Sequence, residues 1–197
     1  AVALRKMAAV GAELMLPGHG LPIAGRERIQ TVLTSAAELL ESIHDQTLEL
    51  MNAGATLDEL IHTVAVPEHL SGLPWLQPVY DEPEFVVRNL WRLYGGWYDG
   101  DPSTLKPAPT ADLAGELATL AGGASVLADR AGELSDLGDH RMACHLAELA
   151  GRAAPEDPAI HRLRARVYAA RADHERSVMA KGVYRWAQRE SERVADS

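Results

Sequence analysis

The sequence is short of cysteine, of aromatic residues and of positive charge. Cys144 is the single thiol, so no disulfide can close within the chain, and a reducing compartment is permitted without being required. Aromatics make up 5% of the residues, while Ala and Leu are abundant. That balance disfavours a β-sandwich, which draws on Val, Ile, Thr and aromatics, and favours helices packed through small side chains. Lys and Arg number 19 against 28 Asp and Glu, a net charge of −9. Affinity for a phosphate backbone needs clustered Lys and Arg, and no such stripe is present, which argues against a nucleic-acid partner. No apolar run approaches the roughly 20 residues of a membrane span. The opening AVALRKMAAV is not a signal peptide, because Arg5 and Lys6 interrupt its short apolar stretch. The sequence does not open on Met, so it is expected to begin inside a longer parent. The compartment stays open.

What is present is a hydrophobic share of 47% spread over 197 residues, enough for one large domain or a domain plus a fragment. Residues 1–13 read as a short amphipathic helix with Ala1, Leu4, Ala8 and Ala12 on one face. Leu14 to Leu16 is a short strand broken by Pro17-Gly18, with His19 at its C-terminal end. From Arg26 the apolar residues Ile29, Val32, Leu33, Ala36, Leu40, Ile43, Leu50 and Met51 recur at helical spacing. They predict one long helix over 26–52, ended by Asn52-Ala53-Gly54. Thr56 with Glu59 three residues on is a capping box that opens a second helix. Pro67, Pro74, Pro78 and Pro83 rule out a regular element across 67–83 and predict a long structured loop. A third helix is expected over 84–98, then a loop at 99–109. Helices follow at about 110–121, 123–137, 139–153, 158–172 and 174–194. The stretch LGDHRMACHLAELAGRAAPEDP sets Gly138, Ala143, Ala147 and Ala150 at close-packing positions, as in a tetratricopeptide-like helix pair. One such unit does not make a repeat array.

The sharpest local motif is Pro17-Gly18-His19-Gly20-Leu21-Pro22, with Gly25 beyond. Glycines on both sides let the backbone turn tightly and leave the imidazole open, and neutral imidazole is the commonest zinc ligand. The plain alternative is a turn histidine with no role, since one ligand does not define a metal site. The second motif is an aromatic block. Trp91, Tyr94, Trp97 and Tyr98 stand at roughly helical spacing beside a loop carrying Trp75 and Tyr80. They suit the lining of an apolar pocket, and they suit core or interface anchors just as well. Among the other histidines, His140 and His145 are five apart and share no helix face. With His62 and His69 they read as surface or packing residues. Cys144 reads as a buried, inert thiol. No Ser-His-Asp arrangement and no lysine-bearing phosphate loop is recognisable, so no catalytic residue is assigned.

Three segments, LPGHGLPIAGRERI, DQTLELMNAGATLDELI and VRNLWRLYGGWYDGDPSTLKP, resemble the alkyl sulfatases of the metallo-β-lactamase superfamily. SDLGDHRMACHLAELAGRAAPEDP and HERSVMAKGVYRWAQRE are similar to the helical region that follows in that family. The resemblance implies a mainly α fold, a multi-helical dimerisation domain over 26–197 with tetratricopeptide-like helix pairs. A short helix-strand remnant of a metallo-β-lactamase domain would precede it over 1–25. It implies a parent that holds two zinc ions and hydrolyses alkyl sulfate esters to alcohol and sulfate, and it implies a homodimer. His19 matches the family's last histidine ligand. The His-x-His-x-Asp-His motif and the two acidic ligands do not occur here, only isolated pairs such as His44-Asp45, Asp139-His140 and Asp173-His174. A water-activating zinc needs about three protein ligands, so the chain by itself is expected to be inactive. The sterol-carrier-like domain on which family members often end is also not found. Two rival readings remain. One is a free-standing tetratricopeptide-like interaction module; the other is a chain that completes a split enzyme with a separate metal-binding polypeptide.

Overall fold

A computed structural model describes all residues 1–197. The fold is mainly α, and the chain divides into two compact units, 1–102 and 103–197.

In the first unit, α1 (Val2–Ala9) lies on α2 (Arg26–Asn52), and the Arg5 guanidinium grips the Glu41 carboxylate. Between them a hairpin pairs β1 (Leu14–Met15) with β2 (Ile23–Ala24), antiparallel, with Leu14 opposite Ala24 and Met15 opposite Ile23. The expected strand is therefore one arm of a hairpin, and α1 is shorter than 1–13, ending where the chain turns through Gly11 at φ +67°. Helix α2 has the predicted bounds because its apolar positions keep a helical period over seven turns. Its Ile43 joins Leu60 of α3 (Leu57–Thr63) and Val87 of α5 (Pro83–Tyr94) in the core of the unit. The capping box forms: the Glu59 amide donates to the Thr56 hydroxyl, and the Thr56 amide donates to the Glu59 carboxylate at 2.7 Å.

The proline-rich stretch is a loop with two short turns of helix, α4 (Glu68–Ser71) and a 3₁₀ turn at Pro74–Leu76. Gln46 of α2 ties it down as a strand would, donating to the Ala65 carbonyl at 2.9 Å and accepting from the Ala65 amide at 3.2 Å. Trp75 donates its indole N–H to the Ser35 hydroxyl at 2.8 Å. Helix α5 stops at Tyr94 instead of running to residue 98, because Gly95-Gly96 follows and Gly96 takes φ +85°. The loop expected at 99–109 contains one turn, α6 (Pro102–Leu105).

The second unit is a set of helices: α7 (Thr110–Ala121), α8 (Ala124–Asp136), α9 (His140–Ala153), α10 (Pro158–His174) and α11 (Val178–Ala195). α8 pairs with α9 and α10 with α11 as helical hairpins, and α9 also packs on α10. The last helix begins at 178, not 174, because His174 completes α10 and Ser177 caps α11. Alanine does the packing here. Ala131, Ala143, Ala147 and Ala150 are fully buried, which lets helix backbones approach closely. Residues 1–25 pack onto the helices that follow through α1 on α2.

Candidate functional site

The PGHG turn is the tip of the hairpin. Gly20 adopts φ +103°, a conformation that a side chain would strain, and the flanking His19 is exposed. No group of three or more His, Cys, Asp or Glu side chains gathers anywhere in the chain to hold a metal ion. The residues present thus fall short of a zinc site.

The four aromatics do not act as one patch. Trp91 packs against the Ile43–Leu60–Val87 core and donates its indole N–H to the Tyr98 carbonyl at 2.8 Å. That bond folds the segment after the helix back onto it. Tyr94 is half exposed, and its hydroxyl meets His44 Nε2 at 3.1 Å while His44 Nδ1 meets Asp45 at 2.8 Å. Trp97 is 77% exposed and stands edge-on to Tyr98. Trp97 and Tyr98 lie beyond α5, so their expected helical register with Trp91 and Tyr94 does not exist.

Two apolar cavities run along the α2–α5 groove, which the aromatic spacing did not reveal. One, of about 290 Å³, is lined by Leu39, Leu40, Ile43, Trp75, Leu76 and Val86, with Asp81 and Glu82 also in its wall. The next, of about 450 Å³, shares Leu40 and Val86 and adds Val2, His44 and Leu90. Leu40 was legible as part of the apolar face of α2. Nothing in its spacing said that this stretch of the face would be left uncovered.

Unit two carries polar groups in its interior. Glu148 accepts from Arg164 at 2.6 Å and from the Tyr168 hydroxyl at 2.9 Å, and Arg164 also reaches the Ser191 hydroxyl. Burial works against the Glu148 carboxylate, but the Arg164 hydrogen bond and charge, with the Tyr168 and Arg152 hydrogen bonds, together outweigh it and hold its pKa below the ordinary range. His140 is buried against His174, ring centroids 4.1 Å apart, and its Nδ1 has no partner. His161 is likewise buried with an unpartnered Nε2. Burial pushes the Cys144 thiol up to about 11. The thiol is half-buried, short of the full burial expected of it, and the raised pKa favours its protonated form.

The alkyl sulfatase dimerisation family model matches residues 56–193. The chain belongs to the alkyl sulfatase dimerisation family. This dimerisation region is 37% identical over 166 residues to a linear primary-alkylsulfatase of Pseudomonas sp. (strain ATCC 19151), covering 84% of the chain and 31% of that protein. It is 28% identical over 152 residues to an alkyl/aryl-sulfatase of Saccharomyces cerevisiae, covering 77% of the chain and 23% of the relative. The dimerisation region therefore spans less than a third of the length of these relatives. Its fold is that of the corresponding part of the stereoselective inverting sec-alkylsulfatase Pisa1 from Pseudomonas sp., with a TM-score of 0.87 at 23% identity over 96% of this chain and 30% of the other. No helix is long and apolar enough to cross a membrane.

Proposed function

We propose that this chain is the homodimerising region of a zinc-dependent hydrolase that cleaves alkyl sulfate esters to alcohol and sulfate. The observation that carries this reading is the family match across most of the chain, joined to relatives whose names describe alkylsulfatases. His19 would supply one ligand of a binuclear zinc centre. Its exposure at a glycine-flanked hairpin tip leaves the imidazole free to meet ligands that this chain does not carry. Residues 1–25 would then be the end of a metallo-β-lactamase domain, and 26–197 the helical dimerisation domain. Trp91, Tyr94, Trp97 and Tyr98 are proposed for the substrate side. Tyr94 and Trp97 offer the exposed apolar surface for an alkyl chain, while Trp91 and Tyr98 hold their segment in place.

The test uses a polypeptide that joins this chain to the remaining length of its relatives. It is expected to bind zinc and release sulfate from a long-chain alkyl sulfate, and His19→Ala is expected to lower both zinc content and turnover. Helix content and native mass should not change, because the His19 side chain contributes nothing to the core. Unaltered zinc content in His19→Ala would remove the ligand assignment. Stoichiometric zinc with turnover by the 197-residue chain alone would overturn the view that this region is inactive by itself.

A further inference from the structure

The two apolar cavities between α2 and α5 share Leu40 and Val86, so they form one trough. Leu93 continues the Val86–Leu90 stripe by helical spacing and is 71% exposed. Trp75 closes the other end of the trough, with 44% of its surface open. The walls of both cavities contain neither Lys nor Arg, and Asp81 and Glu82 are among them.

The same chain carries the opposite shape. On α11, Met179, Val183 and Trp186 follow the i, i+4, i+7 rule and form a ridge, with Val183 63% and Trp186 60% exposed. Gly182 lies within the ridge, and a Cβ placed there would touch nothing, so a partner can approach the helix backbone beside the indole. Arg189, three residues beyond Trp186 and on the same side, is exposed. A convex apolar ridge with a cation beside it and a concave apolar trough with acidic walls are complementary, and both are open to solvent. Exposed apolar surface of this kind marks an interaction site.

We infer that the α2–α5 trough of one chain takes the α11 ridge of a second copy, and that the two copies make this contact twice, about a two-fold axis. The inference rests on the dimerisation reading and names the faces that serve it. Isologous symmetry requires that what one subunit gives it also receives. A reciprocal pair of contacts also buries twice the area of one, which helps a helix-sized ridge reach the extent of a stable interface.

Sedimentation equilibrium on the 197-residue chain tests this with two variants, one on each face. The unmodified chain is expected at twice the chain mass at micromolar concentration. A single-chain mass there would remove the dimerisation reading itself. Leu40→Glu in the trough and Trp186→Glu on the ridge are each expected to raise the dissociation constant tenfold or more, on the order of a hot-spot loss, with unchanged helix content by circular dichroism. An equimolar mixture of the two variants is expected to recover dimer. In the mixed pair, the intact trough of the Trp186→Glu chain meets the intact ridge of the Leu40→Glu chain. If the trough paired with a trough, or the ridge with a ridge, mixing would rescue nothing, and that outcome would overturn the inference. So would wild-type affinity in either variant alone. Should Leu40→Glu lose helicity, Asp81→Arg replaces it in the same design, since Asp81 is exposed and the change places like charge opposite Arg189.

Discussion

At the scale of single residues, the informative groups are those the interior leaves without a partner. His140 has its pKa lowered, first by burial and then by the His174 and Arg171 charges, against the opposing pull of Asp139 and Glu175. These groups come from its own cap, from α10 and from the residue just past α10. A base whose folded pKa is depressed is neutral in the fold. Its contribution to stability is complete above the ordinary value of 6.5 and is lost as pH falls from there toward the lowered folded value. His161 is shifted in the same direction, again chiefly by burial. Urea unfolding is therefore expected to show stability falling as the solution is taken from pH 7 to pH 5, with a shallower fall in His140→Phe. An unchanged slope in that variant would show that His140 does not titrate with unfolding. The sequence reading placed His140 among packing or surface residues, and it proves to be packing. Its contact with His174, 34 residues away, with the rings tilted at 41°, is a tertiary fact that no local spacing encodes. The helical register of the aromatic block stops at Tyr94 for a local reason: the Gly95-Gly96 pair ends the helix before Trp97 and Tyr98.

At the scale of elements, boundaries were legible where a cap or a period announced them. Helix α2 and the Thr56–Glu59 box follow from residue types alone, because the chemistry that starts and stops a helix is local. Thr56→Ala removes the hydroxyl that receives the Glu59 amide and is expected to cost about 1 kcal/mol in chemical denaturation. It should also remove the hydroxyl bond to the Glu59 carboxylate while leaving the stronger Thr56 backbone N–H bond in place, so a carboxylate NMR titration is expected to read a partial upward shift of the Glu59 pKa. A neutral substitution would show the cap to be incidental. The turns inside the proline-rich loop were hidden for the opposite reason. Proline excludes a long helix but is well tolerated at the first position of a short one, as at Pro74 in the 3₁₀ turn. Most of the fold could thus be read from the sequence. The α2–α5 trough could not, since a helix face records that it is apolar but not what covers it.

At the scale of the whole molecule, each unit has its own interior. The second packs Ala131, Ala143, Ala147 and Val167 in one cluster and Ala128, Ala150 and Ile160 in another. Residues 103–197 alone are therefore expected to be helical and to melt cooperatively in circular dichroism, and a chain that stays unstructured would show that its order is borrowed. The one thiol bears on assembly. Because Cys144 sits half-sheltered in α9 and is reluctant to lose its proton, oxidation has little opportunity to weld two copies together. A pair formed by this chain is therefore expected to be held by contact and to obey mass action. It should come apart on dilution and re-form on concentration, indifferent to whether reductant is present.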